Sequence, residues 1–94
     1  GLGFALPHGK SATVRIPSIA FLRPARAIRW TKGGRSRVRG VLLLAVPEQG
    51  GEEHLRLIAR LSRRLMHEDF RSALLAAGDE GAVLAALRGC LAAT

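Results

Sequence analysis

Residues 38–46 of the chain read VRGVLLLAV, and this stretch decides the fold. It is dominated by valine and leucine and is ended by Pro47, which is typical of a strand that is buried on both faces of a sheet. A loop closed by Gly50-Gly51 then leads to Glu52-Glu53. Because carboxylates in a first turn are stabilised by the positive end of the helix dipole, a helix is predicted to begin there.

Further strands precede this unit, and further helices follow it. The opening apolar segment stops at Pro7, whose ring removes an amide donor, and a second apolar run has the length of a strand. Strands before helices predict one α/β or α+β domain over residues 1–94. The predicted strands are Leu2–Leu6, Ser18–Leu22 and Val38–Val46, and the predicted helices are Glu52–Met66, Glu68–Ala77 and a last one from Asp79 to about Leu91.

Apolar side chains at helical spacing predict the buried faces of these helices. On the first helix they fall within a stripe of about 120°, while arginines cluster on another side. The last helix has one apolar face, and its Cys90 is interpreted as a small core residue. The predicted inward positions are Leu55, Ile58, Ala59, Ser62, Leu65 and Met66 on the first helix and Val83, Leu84, Leu87, Cys90 and Leu91 on the last.

The chain is strongly basic, with 15 Lys and Arg against 7 Asp and Glu and a formal net charge of +8. Such a charge attracts phosphate-rich or acidic partners. Residues 23–39 read as a basic connection or hairpin with Trp30 as its anchor, and Arg35, Arg37 and Arg39 alternate on one strand face that could bind nucleic acid. Few aromatic side chains are present for base stacking, so a solvated basic hairpin is the preferred interpretation and nucleic acid ranks below it as a partner.

Composition also argues against several classes of protein. The longest apolar run is far shorter than the roughly 20 residues that cross a bilayer, and no charged-then-apolar leader opens the chain, so a soluble cytoplasmic protein is expected. A single cysteine cannot form an internal disulfide. His54 and His67 are too far apart around a helix to share a metal ion, so no zinc site is predicted.

Two histidines carry the candidate chemistry. His8 follows a proline at a strand end, and an imidazole with an unperturbed pKa of about 6.5 has a free nitrogen lone pair near neutral pH. Histidine is therefore suited to reversible phosphoryl transfer, although most histidines in such positions are ordinary loop residues. His54 lies in the first turn of a helix, where unpaired amides and the dipole form an anion site, and its alternative role is a half-buried structural residue.

The segments around both histidines resemble one known family. Gly3-Phe4-Ala5-Leu6-Pro7-His8 is similar to the Gly-Ile-Ala-Ile-Pro-His phosphorylation motif of the fructose–mannitol type IIA domains of bacterial sugar phosphotransferase systems. Residues 43–48 and the start Glu52-Glu53-His54-Leu55 resemble that family's strand, loop and helix, including its second active-site histidine. The similarity continues to the last helix and covers nearly all of the chain.

The resemblance implies an α/β three-layer sandwich, with a mixed β-sheet flanked by helices, whose N-terminal elements are missing from this sequence. It also implies a phosphotransferase component that accepts phosphate from the phosphocarrier protein HPr on His8 and passes it to a IIB domain for sugar uptake. His54 would stabilise the transferring group, and neither a metal nor another cofactor is needed.

Two departures from the family keep other functions open. Family members carry further helices and an arginine before this motif, which Lys10 could replace only in part because an ammonium is a point charge rather than a bidentate fork. The basic charge is the second departure. The alternatives are a regulatory or degenerate IIA-like module attached to a transcription regulator and a nucleic-acid-binding domain; the sugar and the oligomeric state are left open.

Overall fold

The chain begins with short strands and ends with three helices. A computed structural model describes residues 3–30 and 37–92. The strands are β1 (Phe4–Ala5), β2 (His8–Ser11), β3 (Ser18–Leu22), β4 (Ile28–Arg29), β5 (Arg37–Val38) and β6 (Gly40–Pro47), and the helices are α1 (Gly51–Leu65), α2 (Glu68–Ala76) and α3 (Glu80–Ala92).

Strand β6 is the centre of the main sheet. Strands β1 and β2 both run parallel to it in one unbroken register, in which Phe4 faces Gly40 and His8 faces Leu44. Strand β3 runs antiparallel to β6 and pairs with the same residues Val41 and Leu44. Since a strand has only two edges, β1 and β2 form one interrupted strand on one edge of β6, and β3 lies on the other edge. The sheet is therefore mixed.

The interruption between β1 and β2 falls at Leu6 and Pro7. Proline has no amide hydrogen, but its carbonyl still accepts a hydrogen bond from the Leu44 amide at 2.9 Å. Phe4 is the first residue of this interrupted strand, and its ring lies over Gly40, where an added Cβ would sit 2.6 Å from the ring. The segment that carries His8 is thus fixed to the central strand on both sides of the proline.

The three helices pack on one face of this sheet. Alternate residues of β6, namely Leu42, Leu44 and Val46, are at most 1% exposed and belong to the core cluster. The partners of β6 on this face are Phe4, Leu6, Ile19 and Phe21, and the helices contribute Leu61, Leu65, Phe70, Leu74, Leu87 and Cys90. The expected α/β class with a mixed sheet and flanking helices is confirmed, and the described residues supply these two layers.

The other face of the sheet is less covered. Val38 of β5 packs there against Ala5 and Val41 in a small second cluster. Leu43, which projects to the same face, is 48% exposed, and Leu22 is 59% exposed. The prediction that β6 is buried on both faces is therefore wrong at Leu43, because the described helices cover only one face of the sheet.

Three arginines cap the C-terminal ends of the three helices. Arg71 donates to the Leu65 carbonyl at the end of α1, and Arg60 donates to the Leu91 carbonyl of α3. Arg23 donates to three carbonyls at the end of α2, those of Leu74, Leu75 and Ala77. Cations are favoured at helix C-termini, where carbonyls lack partners, so part of the basic charge stabilises the fold.

Several predictions about the helices need correction. Leu55 and Met66, predicted to face inward on α1, are 62% and 69% exposed, and Leu84 of α3 is 48% exposed. The buried residues of α1 are His54, Leu61 and Leu65, which lie about 100° around the helix from Leu55, so the predicted apolar stripe is rotated away from the observed buried face. The predicted anchor Trp30 is 47% exposed, so its anchoring role is wrong. Arg35 lies outside the described residues.

Among the described helices, none is long and apolar enough to cross a membrane.

Candidate functional site

His8 is the first residue of β2, rather than a loop residue just beyond a strand as the sequence predicts. The parallel register continues through it because the carbonyl of the preceding proline still pairs with β6. Its side chain is exposed. Because His8 faces Leu44 in the parallel pairing, its side chain projects to the same face of the sheet as the helices.

A single hydrogen bond sets the chemical state of the His8 ring. Nδ1 lies 2.9 Å from the carbonyl oxygen of Leu6. A carbonyl can only accept, so Nδ1 must carry the hydrogen and donate it. In the neutral ring this leaves the lone pair on Nε2, the nitrogen farther from the backbone. The His8 imidazole is thereby held as a nucleophile whose reactive nitrogen faces outward.

His54 occupies the first turn of α1 and is only 6% exposed. Its Nδ1 is buried and has no hydrogen-bond partner among the residues that the structure describes. The ring leans over Gly50, the residue before the helix, so closely that an added Cβ there would lie 2.5 Å from Cε1. Gly50 also has φ of 118°, which L side chains rarely adopt. A buried polar atom without a partner is costly and marks a candidate binding site.

The start of α1 adds an electrostatic contribution. No side chain caps its first amides, although the Glu53 amide donates to the Gly50 carbonyl at 3.2 Å. Free amides and the positive end of the dipole favour an anion, while the carboxylates of Glu52 and Glu53 in the same turn oppose one. Glu52 is partly compensated by Arg56, 3.6 Å away, in an exposed pair of small energetic value.

The two predicted site histidines thus lie on related elements. His8 is on the strand beside β6, and His54 begins the helix that follows β6, on the face of the sheet to which His8 points. One is exposed and keeps a lone pair on Nε2, and the other is buried with a ring nitrogen that has no partner within residues 3–30 and 37–92. The first ring has the chemistry to accept a phosphoryl group, and the second has a ring nitrogen that can hydrogen-bond an anion.

Sequence reasoning missed two contributors to this geometry. The Leu6 carbonyl, which fixes the His8 tautomer, has no signature in a sequence because any residue supplies a carbonyl. Gly50 was recognised as a loop residue, but its role as the space for the His54 ring was not. A glycine pair before a helix does indicate a left-handed backbone conformation, so that part of the role of Gly50 can be predicted from the sequence.

The remaining reactive side chains lie elsewhere. His67 is exposed at the start of α2, and Cys90 is buried in α3. Burial raises the pKa of the Cys90 thiol, and the charges of Arg64 and Arg60 offset part of that rise. Within residues 3–30 and 37–92, no group of three His, Cys, Asp or Glu side chains could hold a metal ion.

Comparison with known proteins shows similarity across this whole region. The chain is 40% identical over 91 residues to a PTS system fructose-like EIIA component of Escherichia coli, covering 97% of this chain and 61% of that protein. It is 39% identical over 83 residues to a PTS system fructose-specific EIIA component of Haloferax volcanii, covering 88% of this chain and 54% of that protein. The chain therefore spans a little over half the length of these relatives.

A solved structure shows the same fold. The nitrogen regulatory protein IIA-Ntr from Neisseria meningitidis superposes with a TM-score of 0.83 at 29% identity, over 93% of this chain and 60% of that one. The family model described as the phosphoenolpyruvate-dependent sugar phosphotransferase system, EIIA 2, matches residues 1–89. With this match across almost its full length, the chain belongs to the EIIA type 2 family of the sugar phosphotransferase system.

Proposed function

We propose that this chain is a phosphocarrier: His8 accepts a phosphoryl group from HPr and passes it to a IIB domain, for sugar uptake and phosphorylation in the cytoplasm. The observation that carries the proposal is the bond from His8 Nδ1 to the Leu6 carbonyl, which leaves Nε2 free at an exposed position. Membership of the family supports the role of a phosphotransferase component. The choice of His8 as the phosphorylated residue, and of HPr and a IIB domain as partners, is proposed.

The reaction balances as an exchange between two imidazoles. The Nε2 lone pair of His8 attacks the phosphorus of a phosphohistidine on the donor, and a new N–P bond forms as the donor's N–P bond breaks. The donor ring, protonated on its other nitrogen, recovers its lone pair and leaves as a neutral imidazole, while His8, with Nδ1 still protonated, becomes a phosphorylated imidazolium. In the second transfer a nucleophile of the acceptor attacks the phosphorus, its bond to phosphorus forms as the His8 N–P bond breaks, and Nε2 recovers its lone pair. No metal is required, because the chemistry rests on positioning and on stabilisation of the phosphoryl charge.

His54 is proposed to stabilise the phosphoryl group during both transfers. Its buried Nδ1 has no partner in the described part of the chain, so it gains a hydrogen bond when an oxygen of the group approaches. A donor in such a water-poor position contributes about a hundredfold or more to a transfer rate. His54→Ala should therefore slow phosphorylation by a factor of this order while the phosphate still attaches to His8.

The experiment is incubation of the chain with phosphoenolpyruvate, enzyme I and HPr. Acid-labile phosphate should appear on the wild type and on His67→Gln, in which an exposed histidine outside the site is replaced. It should be absent from His8→Gln. Phosphorus NMR should place the phosphate on Nε2. An unlabelled wild type, or equal labelling of His8→Gln, would refute the proposal.

A regulatory module is the second candidate function. The observation that favours it is the similarity to IIA-Ntr, which is a nitrogen regulatory protein. The two functions differ in their partners: a transporter component passes its phosphate to a IIB domain, whereas a regulator binds another protein in a manner that depends on its phosphorylation. Retention of label on His8 after mixing with IIB domains would favour regulation.

A further inference from the structure

Lys10 lies two residues beyond His8 on the same strand. In the parallel pairing His8 faces Leu44 and Lys10 faces Val46. Both partners on β6 are buried against the helices, at 0% and 1% exposure. Since side chains at one level of a parallel pair project to one face, His8 and Lys10 both project to the helix-bearing face of the sheet. The pair is set by the fold and not by a flexible loop.

The spacing suits a contact with a group bound to His8. Alternate residues of a strand are separated by about 6.6 Å, and a lysine ammonium on its four-carbon stem can span that separation. Nε2, where the phosphoryl group would attach, is the outward nitrogen because Nδ1 is bonded to the Leu6 carbonyl. Lys10 is exposed, so its ammonium is free to reach a phosphoryl group on Nε2 beside the strand.

Lys10 has no carboxylate to neutralise it in the described parts of the chain. The ion pair found there joins Arg56 to Glu52 on α1. Some other basic side chains do have structural partners, as Arg23, Arg60 and Arg71 have at the helix ends. The charge of Lys10 is thus available to an anion that arrives at His8.

We propose that Lys10 binds the phosphoryl group on His8, so that its ammonium donates to the phosphoryl oxygens and compensates their charge during transfer. This inference rests on the proposed function of His8 and adds a third group to the site, beside His54. Lys10 forms no covalent bond and moves no proton in the reaction. An ammonium acts here as a point charge with three rotatable donors, so arginine should replace it in large part.

The test uses phosphoramidate, a small phosphoryl donor, so that an effect on docking of a protein donor is removed. Lys10→Gln should take up phosphate about tenfold more slowly than the wild type, less than the loss for a buried donor because this site is open to water. Lys10→Arg should recover most of the rate. Arg88→Gln, which removes one exposed positive charge from α3, should leave the rate unchanged.

The outcomes separate this inference from the proposed function. No phosphate on the wild type would refute both. Phosphate on the wild type, with an equal rate for Lys10→Gln, would refute only the role of Lys10. Equal losses in Lys10→Gln and Arg88→Gln would show a general effect of net charge and would also overturn it. Melting temperatures measured on all variants should agree, since both replaced side chains are exposed.

Discussion

Replacing Gly50 by alanine tests the contact that positions His54. Gly50 precedes α1 with φ of 118° and ψ of −9°, and its missing Cβ leaves the space into which the His54 ring leans. An added methyl would lie 2.5 Å from Cε1 and 2.8 Å from Nε2 of that ring. The ring is buried, so it cannot move aside without disturbing the start of the helix.

The free-energy cost of Gly50→Ala has two parts. Holding an L residue at this φ costs about 1–3 kcal/mol. Overpacking against a buried ring adds about 1–3 kcal/mol. The sum of roughly 2–6 kcal/mol is a large share of the 5–15 kcal/mol that stabilises a typical domain. At about 4–8 °C per kcal/mol for a domain of this size, the melting temperature should fall by at least about 8 °C.

The neighbouring glycine provides a matched control. Gly51 also has a positive φ, of 35°, but an added Cβ there would have no atom within 4 Å. Gly51→Ala should therefore show the backbone cost alone. Urea unfolding of Gly50→Ala, His54→Ala and the double variant gives their coupling free energy, expected to be about 1–3 kcal/mol because the clash disappears with the ring. Zero coupling, or equal losses for the two glycine variants, would refute this account.

Two further predictions concern stability and reactivity. Arg23→Met should lower the free energy of unfolding by about 1–2 kcal/mol, because three carbonyls at the end of α2 lose their donor. Urea denaturation and faster amide exchange at the end of α2 would show this loss. Arg26→Met, at an exposed position, is the control, and an equal loss in that variant would contradict the capping role. Cys90 is 2% exposed, so it should react with thiol reagents only when the protein opens, at a rate that rises with urea concentration. Fast reaction of the native protein would contradict the burial. Because burial raises the pKa of the thiol above its value in the unfolded chain, the free energy of unfolding should decline as pH rises through the range in which the thiol titrates.

Local sequence patterns were sufficient for much of the fold. Ser18–Leu22 is a strand with the predicted bounds, and α1 is displaced from its predicted range by one residue at each end. These elements depend on composition and periodicity, which a window of sequence contains. The placement of His8 depends instead on pairing with Leu44, which is far along the chain. Pro7, which the sequence predicts to end a strand, only interrupts the strand that β1 and β2 form together.

The limits of prediction were greatest for the charges. The sequence shows that the chain is basic, but it does not show that Arg23, Arg60 and Arg71 cap helices, because the first of these spans more than 50 residues to reach its carbonyls. Exposure of Trp30 and Leu43 was missed for a related reason. Whether an apolar side chain is covered depends on which layer lies above it, and the strand alone cannot specify that.

The same distinction bears on what the basic charge implies about partners. A capping arginine is already satisfied by carbonyls, so it should contribute less to binding than net charge suggests. Arg29 and Arg37 are a different case, because they face one another across the β4–β5 pairing, where like charges destabilise a hairpin. Folding therefore does not account for that charge, whereas it does account for Arg23 and Arg60. A search for acidic partners should begin with Arg29 and Arg37 rather than with the total of +8.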